Sequence, residues 1–76
     1  MDTRYEISCF CEEEGRRYRV GNPDVYPTPF ITEISSHHGV FLSKDLAIAA
    51  AKAYLTAFPD QKLTAWRLHT VEPIEI

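Results

Sequence analysis

The sequence has no apolar run near the ~20 residues that cross a bilayer as a helix, and its opening stretch, MDTRYEIS, carries no apolar signal core. These absences predict a cytoplasmic protein with no membrane partner. Two cysteines are too few for the disulfide framework of small secreted domains, so both thiols are expected to be reduced. The three glycines, Gly15, Gly21 and Gly39, stand singly, which excludes a glycine-rich phosphate loop. A formal net charge of -3 gives no general attraction to phosphate backbones and makes nucleic acid a secondary partner class. A local basic patch remains compatible with that total.

What is present is globular: 45% hydrophobic and 25% charged residues lie far from the low-hydrophobicity composition of disordered chains. Residues 1–76 read as one domain, near the lower size at which a single core holds without staples. Residues 4–12 alternate, with Tyr5, Ile7, Cys9 and Cys11 on one side and Arg4, Glu6, Ser8, Phe10 and Glu12 on the other. Residues 16–20 repeat the pattern, with Tyr18 and Val20 against Arg17 and Arg19. Gly15, at the end of EEEG, supplies the positive φ that a short hairpin loop uses, so the two runs predict a β-hairpin.

The segment GNPDVYPTPF holds three prolines and reads as a loop in which Tyr26 and Phe30 cover a core edge. ITEIS, residues 31–35, reads as a short edge strand closed by the turn SSHHG. Ser43 as N-cap, Asp45 in the first turn and the alanine-rich KDLAIAAAKAYLTAF predict a helix that Pro59 ends. Its packing stripe is Ala47, Ile48, Ala51, Tyr54, Leu55 and Phe58, with a second small-residue flank of Leu46, Ala50, Ala53 and Ala57. Residues 62–72 form the last strand, placing Thr64, Trp66, Leu68 and Thr70 on one face and Ala65, Arg67, His69 and Val71 on the other. Pro73 stops it, leaving residues 74–76 to pair with a partner's edge or to stay loose. The class is α+β, an antiparallel sheet of three to four strands with one helix on one face, in the order ββ(β)αβ.

Four metal-ligand types, Cys9, Cys11, His37 and His38, make a small zinc-binding domain one reading. Their spacing opposes it: Cys-x-Cys in a strand separates the thiols by roughly 7 Å along one face, and adjacent histidines diverge in extended chain. The same spacing disfavours a Cys9–Cys11 disulfide. Thiol catalysis would require Cys9 or Cys11 beside His37, His38 or His69, and core-facing thiols have raised pKa values. The expectation is a non-enzyme without cofactor or metal.

Binding is better served. The face away from the helix carries Arg4, Arg17, Arg19 and Arg67 around Phe10, a chemistry suited to stacking single-stranded bases while guanidinium groups meet phosphates. Glu6 and Glu12 on that face favour the competing reading of a solvated surface with cross-strand ion pairs. The acidic tip Glu12, Glu13 and Glu14 adds a second charged feature. The flank Leu46, Ala50, Ala53 and Ala57 is a candidate self-association surface for a homodimer, against the simpler reading that alanine is the best helix former.

The stretch FLSKDLAIAAAKAYLTAFPDQKLTAWRL, residues 41–68, resembles a pattern in small proteins of bacteriophages and other mobile elements. In these a capped, alanine-rich helix leads through a proline turn into a final strand. The resemblance implies a ββαβ-type accessory protein, and anti-CRISPR inhibitors that dock on host complexes without catalysis belong to that group. The functional expectation is therefore a protein-binding inhibitor or adaptor acting on a host protein or complex that handles nucleic acid. Its partner contacts are expected at Phe10, Glu12, Glu13, Glu14, Arg17, Arg19 and Arg67, with a single-strand nucleic-acid binder as the alternative.

Overall fold

Alternating residues build the sheet and a capped apolar stripe builds the helix, as a computed structural model describing residues 3–71 shows. The elements are β1 (Arg4–Cys11), β2 (Arg16–Val20), β3 (Ile31–Thr32), α1 (Lys44–Ala57) and β4 (Leu63–Val71). The strands form one antiparallel sheet in the order β3-β2-β1-β4, so the protein is an α+β fold with a four-stranded sheet and one helix. The readings placed on Glu72, Pro73 and residues 74–76 lie outside the described residues.

β1 and β2 form the expected hairpin, with Cys9 opposite Tyr18 and Cys11 opposite Arg16. Gly15 takes φ 65° at its tip and donates its N–H to the Cys11 carbonyl at 2.8 Å, closing the loop. Residues 31–35 are only partly a strand: β3 ends after Thr32, and Ser35–His37 form a single 3-10 turn. The Thr32 hydroxyl accepts from the Ile34 N–H at 3.0 Å, a local bond that competes with continuing the ladder. The proline-containing loop returns so closely that a Cβ on Gly21 would overlap the Phe30 ring. Phe30 thus covers the end of β2, whereas Tyr26 is exposed and meets Phe30 edge-on at 5.1 Å.

Ser43 caps α1, its Oγ accepting from the Leu46 N–H at 3.2 Å, and the Phe58 N–H closes the last turn onto the Tyr54 carbonyl at 2.9 Å. The buried stripe is narrower than the one predicted: Ala47, Ala51 and Tyr54 are buried, while Ile48, Leu55 and Phe58 are exposed. The cause is placement. α1 lies chiefly over β1 and β2, and of the helix-side residues of β4 Trp66 packs against the core while Leu68 stays exposed. The core is Ile7, Val20, Phe41, Ala47 and Ala51, with Tyr5, Ile31, Ala50 and Trp66 against it. Alanines at the contact let the helix backbone sit close to β1, where Cys9 is wholly buried.

β4 departs from simple alternation. Between the pairs Ser8–Arg67 and Phe10–Thr64, β1 advances two residues and β4 advances three, so a bulge inserts one residue into β4. Ala65 takes the strained left-handed φ of 51° there. The consequence corrects the predicted facing: Thr64 opposes Phe10 on the helix-free side, with Arg67 and His69, and Leu63 takes the helix side opposite Cys11.

Candidate binding face

Strand register gathers the candidate residues on the helix-free side of the sheet. Phe10 lies between Arg17 of β2 and Thr64 of β4, Ser8 lies between Arg19 and Arg67, and Glu6 opposes His69. All of Phe10, Arg17, Arg19 and Arg67 therefore share one surface. The face divides into two parts of different character.

Toward the hairpin tip the residues are open. Arg17 and Arg67 are exposed and form no ion pair among the described residues, and Phe10, in the row of Arg17 and next to that of Arg67, is half-buried. Glu12 accepts from the Thr64 hydroxyl at 2.8 Å, whereas Glu14, predicted to join it, accepts from the hydroxyl of Tyr18, which opposes Cys9 on the helix side. These bonds orient two of the three tip carboxylates without neutralising them. Glu13 is exposed between them.

Toward the middle of the sheet the face is a closed polar network. Arg19 donates to Glu6, and the same carboxylate lies 3.5 Å from His38 Nδ1. Ser8 Oγ and His69 Nε2 are hydrogen-bonded at 2.7 Å. Ser8, expected on a solvated surface, has no exposed area at all, because the side chains of neighbouring strands close over a small hydroxyl. Burial first, and then the Arg19 cation, lower the His69 pKa from its ordinary 6.5, with Glu6 acting in the opposite direction. A hydroxyl with no accessible surface cannot reach an external carbonyl, so this serine–histidine pair ties β1 to β4 rather than presenting a nucleophile.

Sequence reasoning missed the Ser8–His69 bond, whose partners stand 61 residues apart. Only the β1–β4 register, which the bulge sets, could have revealed it.

The sulfur groups are elsewhere. Cys9 and Cys11 are buried, free and on the helix side, whereas His38 reaches Glu6 on the opposite face. The sheet itself separates the thiols from that imidazole. Burial, with the neighbouring Cys11 thiol, pushes the Cys9 pKa up to about 11. Among the described residues no group of three or more His, Cys, Asp or Glu side chains is placed to hold a metal ion.

The proposed self-association flank is exposed at Leu46, Ala53 and Ala57 and half-buried at Ala50. Ala50 and Ala53 form an apolar groove of about 120 Å³ with Val20, Pro23, Tyr26 and Phe30. Leu46, 53% exposed, and Ala57 remain outward. No helix among the described residues is long and apolar enough to cross a membrane. Comparison with protein-family models, curated proteins and solved structures finds no match to this chain.

Proposed function

We propose that this is a non-enzymatic protein-binding module that docks on a partner through the tip end of its helix-free sheet face. The supporting observation is the contiguity of Glu12, Thr64, Phe10 and Arg17 across three strands, with Arg67 one row away. Such a patch combines an aromatic, two arginines without an ion pair among the described residues and oriented negative charge. Aromatic and arginine side chains supply most of the energy at protein interfaces, while charge complementarity sets encounter rate and register. A rigid hairpin also lowers the ordering cost of docking. The resemblance of residues 41–68 to small phage and mobile-element proteins makes an inhibitor of a host nucleic-acid-handling complex, anti-CRISPR-like in its mode of action, the favoured role. The test is affinity capture from source cells with wild-type and variant bait. A stoichiometric protein partner should be retained by wild type and by Leu46→Lys, and lost with Phe10→Ala combined with Arg67→Glu. Loss on the helix-flank change alone, with the sheet variants still binding, rejects this surface.

Arg17, beside Phe10 and without a carboxylate partner among the described residues, favours a second reading, single-stranded nucleic acid stacked on Phe10. That reading requires affinity for oligonucleotides that falls steeply with salt and drops on Phe10→Ala. No binding to any single strand at low salt eliminates it.

A further inference from the structure

The early end of β3 opens a second feature at the sheet edge. Only Arg19 and Val20 of β2 pair with β3, so the outer edge of β2 from Arg16 to Tyr18 has no ladder partner among the described residues. The space left is a groove of about 310 Å³ lined by Arg17, Tyr18, Arg19, Thr32, Glu33 and His38.

Its charges do not cancel. Glu33 is 3.5 Å from Arg16, and Glu6 pairs with Arg19, so each of these carboxylates already has a cation while Arg17 pairs with no carboxylate among the described residues. Donors are also left over. Arg19 uses one terminal nitrogen on Glu6, which leaves the rest of its guanidinium group. The buried Thr32 hydroxyl accepts from the Ile34 N–H, so its own proton is available for donation. His38 borders the groove with Nδ1 3.5 Å from Glu6, and its Nε2 donates only when the ring carries both protons.

We propose that this groove binds a phosphate group, held by the Arg17 and Arg19 guanidinium groups with Thr32 Oγ1 as a further donor. Two features favour phosphate over carboxylate. Donors from two adjacent strands, two guanidinium groups on β2 and a hydroxyl on β3, suit a group with several acceptor oxygens arranged tetrahedrally rather than two in a plane. An incoming carboxylate also competes on equal terms with Glu6 for Arg19, whereas a doubly charged phosphate does not. The proposal deepens the docking role of the same face and rests on it only for the identity of the larger partner.

The test is titration of the protein with inorganic phosphate at constant ionic strength, followed by NMR of backbone amides and arginine Nε–H groups. Saturable shifts are expected at Arg17, Arg19, Thr32 and His38. Removal of one charge-assisted arginine contact by Arg17→Ala should weaken binding about tenfold, and Arg67→Ala, outside the groove, should change it less than about twofold. Phenyl phosphate supplies the second arm: binding at least as tight as inorganic phosphate assigns the site to esterified phosphate, and weaker binding assigns it to the free ion. Shifts that sodium chloride reproduces, that fail to saturate, or that survive Arg17→Ala unchanged overturn the site. Absent phosphate binding together with partner capture lost on Arg67→Glu removes the groove and keeps the docking role. Saturable phosphate binding with capture unaffected by that change does the reverse.

Discussion

Ser8 and Cys9 are neighbours in β1 and equally inaccessible, each with 0% of its surface exposed, yet they are buried by opposite means. Cys9 lies under α1, in a layer closed by Ala47, Ala51 and Tyr54. Ser8 lies on the side with no helix, between Arg19 and Arg67, and is hydrogen-bonded to His69. One face excludes water with apolar packing, whose energy scales with area and is indifferent to direction. The other excludes it with a polar network that is worth something only while every partner is present. A sheet this small can therefore have a dry face for stability and a charged face for binding without a second layer.

Substitutions along β1 test that division. Ile7→Ala, in the dry layer, should lose about 2–5 kcal/mol in urea unfolding, combining lost transfer energy with a residual cavity. Against a total of about 4–11 kcal/mol expected for a chain of this size, that approaches unfolding. Cys9→Ser changes almost no volume but places a hydroxyl under the helix, and should lose about 1–3 kcal/mol from unsatisfied hydrogen-bonding capacity. Ser8→Ala, one residue away, should lose only about 1 kcal/mol, the usual net value of one hydrogen bond, with the His69 imidazole left unpartnered. Equal losses for Cys9→Ser and Ser8→Ala would show that the two faces do not differ in kind. Ala65→Gly should gain about 0.5–1 kcal/mol, because glycine adopts φ 51° without the Cβ clash that alanine has there.

The dry face was the more legible of the two. Alternation in residues 4–12 and 16–20, the Ser43 cap and Pro59 identified the hairpin and the helix because each rests on local chemistry. The errors arose where a non-local choice decided the outcome. Ile48, Leu55 and Phe58 fit the helical stripe, but which part of that stripe is covered depends on where α1 crosses the sheet. Thr64 changed sides because one residue, Ala65, accepts a left-handed conformation that no propensity assigns to alanine. On the open face, the membership of Phe10, Arg17, Arg19 and Arg67 followed from alternation and the hairpin. The separation of Arg19 into a network with Glu6 and His38 depended on register and on the 3-10 turn, which leave no periodic trace.

The two faces should also fail at opposite ends of the pH scale. His69, on the polar face, has a native pKa below its ordinary 6.5, so the unfolded chain binds this proton more readily than the native one. Its contribution to stability is complete above pH 6.5 and is lost as pH falls through the native pKa. Cys9, on the dry face, is raised from 9.0 to about 11, so the native state retains its proton where the unfolded state releases it. That contribution is complete below pH 9 and is lost as pH climbs through about 11. Urea midpoints measured from pH 5 to 11 should fall at both ends. Cys9→Ala, which removes the ionisable thiol, should flatten the alkaline limb and leave the acid limb in place, and His69→Gln should do the converse. If one substitution altered both limbs together, the layers on either side of β1 would be coupled through the sheet, and the separation of a stabilising face from a binding face would fail.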